Sequence, residues 1–383
     1  MRLSIPVSAI VGATVGCGGT LALIIAAADA VGATREQTAS WVTAVCLAIA
    51  LETLWLSWRT RMPVVTAWST PGLALIAAAP GYTIADTVGA FILAAVMLMA
   101  TALARPVIQL VNRIPSSVAS AMLAGILFTF AANSALAAGS DPWLVLPLVA
   151  LFFVIRLFSP ALSVLAVLAG GTFYAWALGR VPEFPSLELS TLVLTAPNFS
   201  VAGFFGLAIP IYLVTMASQN LAGLAVLKAA GYEPPAGQLI GVTGIGSLLS
   251  APFNAGTTNL SAMAAAMCTS PDVHPDLAER WKVGPFYTLA YLVFALFGAS
   301  MVALFAVLPP TLILIVAGLG LIGSLANALS IAIAEPVHRM AATVTFAVTA
   351  SGVTALGIGA AFWGLVAGLV VLGLERAKTL SRQ

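Results

Sequence analysis

Apolar runs recur along the whole chain, at about 5–28, 40–57, 65–79, 85–104, 116–132, 142–156, 160–178, 199–224, 237–249, 251–268, 283–307, 310–333, 340–356 and 358–374. Many approach the ~17–25 residues that carry a helix across a bilayer core. Short turns join them, with no soluble-sized domain between. The pattern predicts an all-α polytopic membrane protein with about fourteen transmembrane segments. Two runs, 65–79 and 251–268, are interrupted by Pro and Gly, and there the helical pattern breaks.

Composition agrees with this reading. Hydrophobic residues make up 61% and charged residues 7%, against about 25% charged in ordinary soluble proteins. The first run is too long for the apolar region of a signal peptide and is read as the first membrane helix. With the N-terminus inside and loops alternating, the inner side receives Arg2, Arg59, Arg61, Arg105, Arg113, Arg156, Lys228, Arg280, Lys282, Arg339, Arg376, Lys378 and Arg382. The outer side receives Arg35 and Arg180 among acidic residues. This positive-inside bias predicts a multi-pass protein of a bacterial-type inner membrane, both termini cytoplasmic. Cys17, Cys46 and Cys268 lie in or beside apolar segments and read as packing residues. The sequence shows no nucleotide-binding loop, no metal-ligand cluster and no nucleophile–base set. No catalytic residue, metal, cofactor or nucleic-acid partner is expected, and the chain does not read as an enzyme.

The most polar, Pro-rich connection runs from Leu178 to Ser200, with seven segments on each side. An odd number makes the second half enter the membrane with opposite topology, so residues 1–183 and 184–383 are expected to be inverted repeats. The third segment of each half carries the break: Thr66 to Leu75 around Pro71-Gly72, and Ser250 to Leu260 around Pro252 and Gly256. A helix that begins at membrane depth turns free N–H groups and a positive dipole end into a cavity. Two such starts arriving from opposite sides would bind a small anion, most naturally a carboxylate, without a buried cation. The plain alternative is a pair of kinked packing helices.

Other polar groups carry two readings each. Thr215, Ser218 and Gln219 share a face of the eighth segment and either bind substrate or bond backbone freed by the breaks; Asn220 points elsewhere. Gly12, Gly16, Gly18 and Gly19 either pack the first helix closely or line the cavity. Glu52, in the second segment, is the clearest intramembrane carboxylate. It either carries a coupled proton or sits near the inner interface with Trp55, Trp58 and Arg59. His274 and His338 fall in cytoplasmic loops.

The runs AWSTPGLAL (67–75), MASQNLAGLAVL (216–227), APFNAGTTNLSAMAAAMC (251–268) and HPDLAERW (274–281) resemble the benzoate:proton symporter family, the BenE-type transporters, over nearly the whole chain. That family is related to the uracil, nucleobase–ascorbate and sulfate permeases. The resemblance implies fourteen segments in two inverted seven-helix repeats, with short strands in segments 3 and 10. It also implies a core domain (about 5–104 and 199–307) and a gate domain (about 116–178 and 310–374). Carried over by position, substrate would lie between Ser69, Thr70, Gly72 and Leu73 on one side and Asn254, Ala255, Gly256, Thr257 and Thr258 on the other. Ser218 and Gln219 would close the site, and the ring would rest against Trp68, Met216 or Phe253. Many relatives have a histidine near Gly256, a titrating group this chain lacks. The function implied is import of benzoate or a similar aromatic carboxylate with protons, by alternating access, as a homodimer in the bilayer. The competing readings are a carrier for another organic anion or a nucleobase, an anion channel, and a membrane scaffold.

Overall fold

The computed structural model describes residues 2–79, 81–103, 115–160, 162–181 and 183–380. Arg105, Arg113 and Arg382, assigned above to the inner side, lie outside the described residues. The apolar runs form helices with ordinary capping chemistry. Helix α1 (Ser4–Ala30) leads through left-handed Gly32 (φ 67°) into α2 (Arg35–Thr60), where Thr34 and Gln37 form a capping box. The chain then breaks into strand β1 (Thr66–Trp68) and a half-helix, α3 (Thr70–Ala77), followed by α4 (Ile84–Leu103). Next come α5 (Ser116–Ser140), α6 (Pro142–Phe158) and α7 (Ser163–Ala177).

An extended stretch leads into α8 (Val201–Ala229), which widens into π-helical turns at Phe204–Ala208 and Thr215–Asn220. Helix α9 (Ala236–Ser250) precedes strand β2 (Thr258–Leu260) and the half-helix α10 (Ala262–Thr269). Helices α11 (Val283–Leu296) and α12 (Gly298–Val307) meet at a bend of 59° where one straight segment was expected. The chain closes with α13 (Pro310–Ala334), α14 (Arg339–Ala350) and α15 (Ala360–Leu380). Among the described residues, seven helices are long and apolar enough to cross a membrane, eight if the bent pair is one span. Each half-helix has eight residues and at 1.5 Å per residue reaches only about 12 Å.

The two broken segments meet in an antiparallel ribbon with Thr66 opposite Leu260, Ala67 opposite Asn259 and Trp68 opposite Thr258. Ser69 N–H donates to Thr257 O and Ser261 N–H to Val65 O, extending the ladder at both ends (2.8 and 3.1 Å). The ribbon satisfies backbone groups that lipid could not, which is what permits non-helical chain at this depth. Ser69 then caps α3 through Gly72 N–H, and Ser261 caps α10 through Ala264 N–H.

The structure corrects the match between the halves. Pro71 and Gly72 lie inside the first turn of α3, where proline's missing N–H costs nothing. Pro252 and Gly256 instead precede β2, in a turn where Asn254 adopts left-handed backbone (φ 72°). The shared order is strand, serine cap, half-helix, and the Pro–Gly pairs are not equivalent.

Packing explains the remaining small residues. Helices α2 and α11, and α4 and α9, pack broadly, as do α5 with α13 and α14, and α14 with α15. A Cβ on Gly12 would touch Ala264, Met267 and Tyr287, and one on Gly16 would touch the Tyr291 hydroxyl. These glycines therefore bring α1 against α10 and α11. Cys17, Cys46 and Cys268 are free and buried. Arg35 pairs with Glu188 and Arg180 with Asp141. Arg61 stacks over Trp281.

Candidate functional site at one end of the ribbon

The end of the ribbon where β1 gives way to α3 borders a small cavity. It is lined by Trp41 of α2, Trp68, Ser69, Gly72 and Leu73 of the first break, Phe91 of α4, Ile211 of α8, and Gly256 and Thr257 before β2. Its volume of about 10 Å³ is roughly one water molecule's. Trp41 and Phe91 stack edge to face at 5.4 Å between centroids. A Cβ on Gly256 would lie 3.4 Å from Phe91 and 3.7 Å from Trp41 Nε1. Any side chain at position 256 would therefore grow against these rings.

The polar side of the cavity is a chain of hydroxyls. Ser69 and Thr215 share a hydrogen bond of 2.8 Å, and Thr215 and Thr257 one of 3.1 Å. No charged residue lines the space. Beside Thr257, Asn259 is fully buried, and neither amide atom has a hydrogen-bond partner among the described residues. Alternation along the strand puts Asn259 on the same side as Thr257.

Six of the residues singled out from sequence line this cavity: Trp68, Ser69, Gly72, Leu73, Gly256 and Thr257. The others lie elsewhere. Thr70 is in the first turn of α3 but does not line the space. Asn254 is buried, donating to Val193 O at 3.2 Å, and Ala255 is buried behind it. Phe253 lines a separate groove between α2 and α9. Ser218 turns back to Val214 O, and half-buried Gln219 makes no hydrogen bond among the described residues. Met216 is buried and accepts from Asn220 Nδ2 at 3.5 Å. Asn220 also accepts from Leu260 N–H at 2.9 Å, tying α8 to β2. Trp41, Phe91 and Ile211 carried no sequence signal, because an apolar side chain within an apolar helix marks nothing.

Glu52 lies on the other side of the ribbon. It is 4% exposed. Its Oε1 accepts from the Thr258 hydroxyl at 2.6 Å, while Oε2 has no partner among the described residues. Thr258 thus faces α2 and α9 and not the cavity. Glu52 lines the wall of the α2–α9 groove, a mostly apolar space of about 300 Å³ that includes Leu51, Trp55, Ile245 and Leu249. It is buried between the two helices.

A family described as "Benzoate membrane transport protein" matches residues 2–374. The chain is 37% identical over 365 residues to "Inner membrane protein YdcO" of Escherichia coli (strain K12), covering 94% of this chain and 93% of that protein. It is 32% identical over 370 residues to the "Benzoate membrane transport protein" of Acinetobacter baylyi (strain ATCC 33305 / BD413 / ADP1), covering 96% and 94%. Among solved structures, SLC26A9 superposes with TM-score 0.65 at 11% identity over 97% of this chain, which spans 65% of that one. The transmembrane domain of a cyanobacterium bicarbonate transporter, BicA, superposes with TM-score 0.61 at 16% identity, covering 96% and 98%. At such identities the likeness establishes the fold alone. The long apolar helices, the ribbon between two half-helices and these matches define a multi-pass membrane transporter. The chain belongs to the BenE family, the benzoate membrane transport proteins.

Proposed function

We propose that this chain imports an aromatic carboxylate, benzoate or a close analogue, across the inner membrane together with protons, by alternating access. The observation that carries the reading is the lining of the cavity. Trp41, Trp68 and Phe91 line it together with Gly72 of α3, Ser69 and Thr257, and the Trp41 and Phe91 rings close over Gly256. A carboxylate would take the hydroxyl donors and the positive end of the half-helix. The ring of the substrate would stack against the aromatic walls. Uncharged donors suffice to hold an anion there, and they exact no cost for burying a second charge. The relative from Acinetobacter baylyi is named for benzoate.

The cavity now has room for one water, so the aromatic walls must separate for substrate to enter. Two inverted seven-segment halves, 1–183 and 184–383, would supply that motion. The antiparallel ribbon is the pairing expected where two such halves meet. A core (about 5–104 and 199–307) would carry the cavity past a gate (about 116–178 and 310–374), with both termini cytoplasmic and two copies forming a dimer. Glu52 would carry the proton.

Purified protein in liposomes should accumulate labelled benzoate under an inward proton gradient and lose it when an ionophore dissipates that gradient. Absence of both accumulation and calorimetric binding would overturn the proposal. A thermal-shift panel of other organic anions and nucleobases sorts the substrate class. Conductance without accumulation would reassign the chain as a channel.

A further inference from the structure

Thr258 stands between Glu52 and helix α9 with a single hydroxyl proton and three neighbours. Its Oγ1 lies 2.6 Å from Glu52 Oε1, 3.0 Å from Thr243 O and 3.1 Å from Ser247 Oγ. Its own N–H donates to Ser247 Oγ at 2.9 Å, and Ser247 in turn donates to Thr243 O at 2.7 Å. A Cβ on Gly246 would sit 1.8 Å from Glu52 Oε1, so α9 meets the carboxyl with bare backbone. The adjacent Thr257 points the other way, into the hydroxyl chain of Thr215 and Ser69. One short stretch of backbone therefore carries the carboxyl contact on one face and the cavity contact on the other.

We propose that Thr258 is a positioning residue that transmits the protonation of Glu52 to the anion cavity. The inference rests on the transport reading above. An ionised carboxylate only accepts, so Thr258 must then donate to Oε1, and β2 is tied to α2. A protonated Glu52 donates to Thr258 Oγ1 instead, which frees the Thr258 proton for Thr243 O and adds a second tie between β2 and α9 beside the Thr258 N–H bond to Ser247. The proton taken up by Glu52 comes from bulk water and returns to it. The two states therefore hold Thr258, and with it the adjoining Thr257, with different strength against α9. Substrate and proton so engage different residues of the ribbon, Thr257 at the cavity and Thr258 at the carboxyl, and need never touch.

No other charged group competes for this role among the described residues. Helix α9 and strands β1 and β2 carry no ionisable side chain. Helix α11 brings Tyr287, which donates to Thr66 O, and Tyr291, which stacks on Trp68. Cys46 shares α2 with Glu52, and Cys17 lies on α1. Asp86 of α4 is engaged at its helix start by Thr83 and Asn198. Arg35, Glu36 and Arg59 sit at the two ends of α2.

Benzoate affinity, measured by calorimetry across pH on the full-length protein in nanodiscs, tests the proposal. Wild type should change affinity by about tenfold per pH unit where one linked proton is bound. Thr258→Val and Glu52→Gln should each flatten that profile, and combining them should add nothing. Thr258→Ser, which keeps the hydroxyl, should restore the slope. A wild-type slope in Thr258→Val, or a flat profile in wild type, overturns the relay while leaving benzoate binding intact. Wild type that binds no benzoate at any pH overturns the transport reading, and the relay falls with it. Should the valine variant fail to fold, Thr258→Ala is read by the same criterion.

Discussion

In the first broken segment β1 runs straight into Ser69 and the start of α3, and all three border the cavity. In the second, the cavity is met by Gly256 and Thr257, which precede β2, whereas Ser261 and the start of α10 lie beside Val65 at the far end of the ribbon. Antiparallel pairing imposes this separation. Ser69 and Val65, the residue opposite Ser261, are four steps apart along the strand, so a rise of about 3.3 Å holds the two caps roughly 13 Å apart. The two positive ends expected to converge on one anion are therefore divided. One half contributes a helix start and an aromatic wall; the other contributes a close-fitting glycine and a hydroxyl. The second segment also faces outward from the cavity, since Thr258 reaches Glu52 and Leu260 N–H reaches Asn220.

The sharpest way to break this asymmetry is Gly256→Leu. Its side chain would grow against Phe91 and Trp41 and should lower benzoate affinity by about a hundredfold or more, near 2.7 kcal/mol. Calorimetry on the folded variant checks it, and unchanged affinity would remove the second segment from the cavity. Thr215→Val comes next, because Thr215 is the hydroxyl that joins the two segments. Loss of one buried hydrogen-bonding group should weaken binding about tenfold, some 1.4 kcal/mol. A matched pair of cap deletions separates the two helix starts. Ser69→Ala and Ser261→Ala should each cost about 1 kcal/mol of stability, read as a lowered thermal midpoint, but only Ser69→Ala should also weaken benzoate. Equal losses of affinity would restore a two-helix anion site. The smallest effect is expected from Gln219→Ala, which removes no hydrogen bond among the described residues and should leave affinity within about twofold.

Much of the site was legible because its residues break a rule that membrane helices obey. Pro71, Gly72, Pro252 and Gly256 interrupt apolar runs, and that marks both segments in the sequence itself. Glu52 stood out because a carboxylate is rare at that depth. Trp41 and Phe91 could not be found that way, since an aromatic residue in an apolar helix breaks nothing. Helical spacing points Asn220 away from its polar neighbours, yet the widened turn at Thr215–Asn220 brings it onto β2. Spacing rules assume regular helix, and a π-helical turn shifts every later side chain around the axis.

The sequence by itself determined the membrane-spanning helical class, the positions of the two breaks and the family. Each follows from local facts: apolar length, missing backbone donors and motif identity. Only the tertiary structure decided which strand end meets which helix start. That choice hangs on register and on antiparallel pairing between residues nearly two hundred positions apart, which no local pattern encodes. It put Trp41, Trp68 and Phe91 around one end of the ribbon. It also turned Thr257 and Thr258, neighbours in sequence, toward different partners, because adjacent residues of a strand face opposite sides.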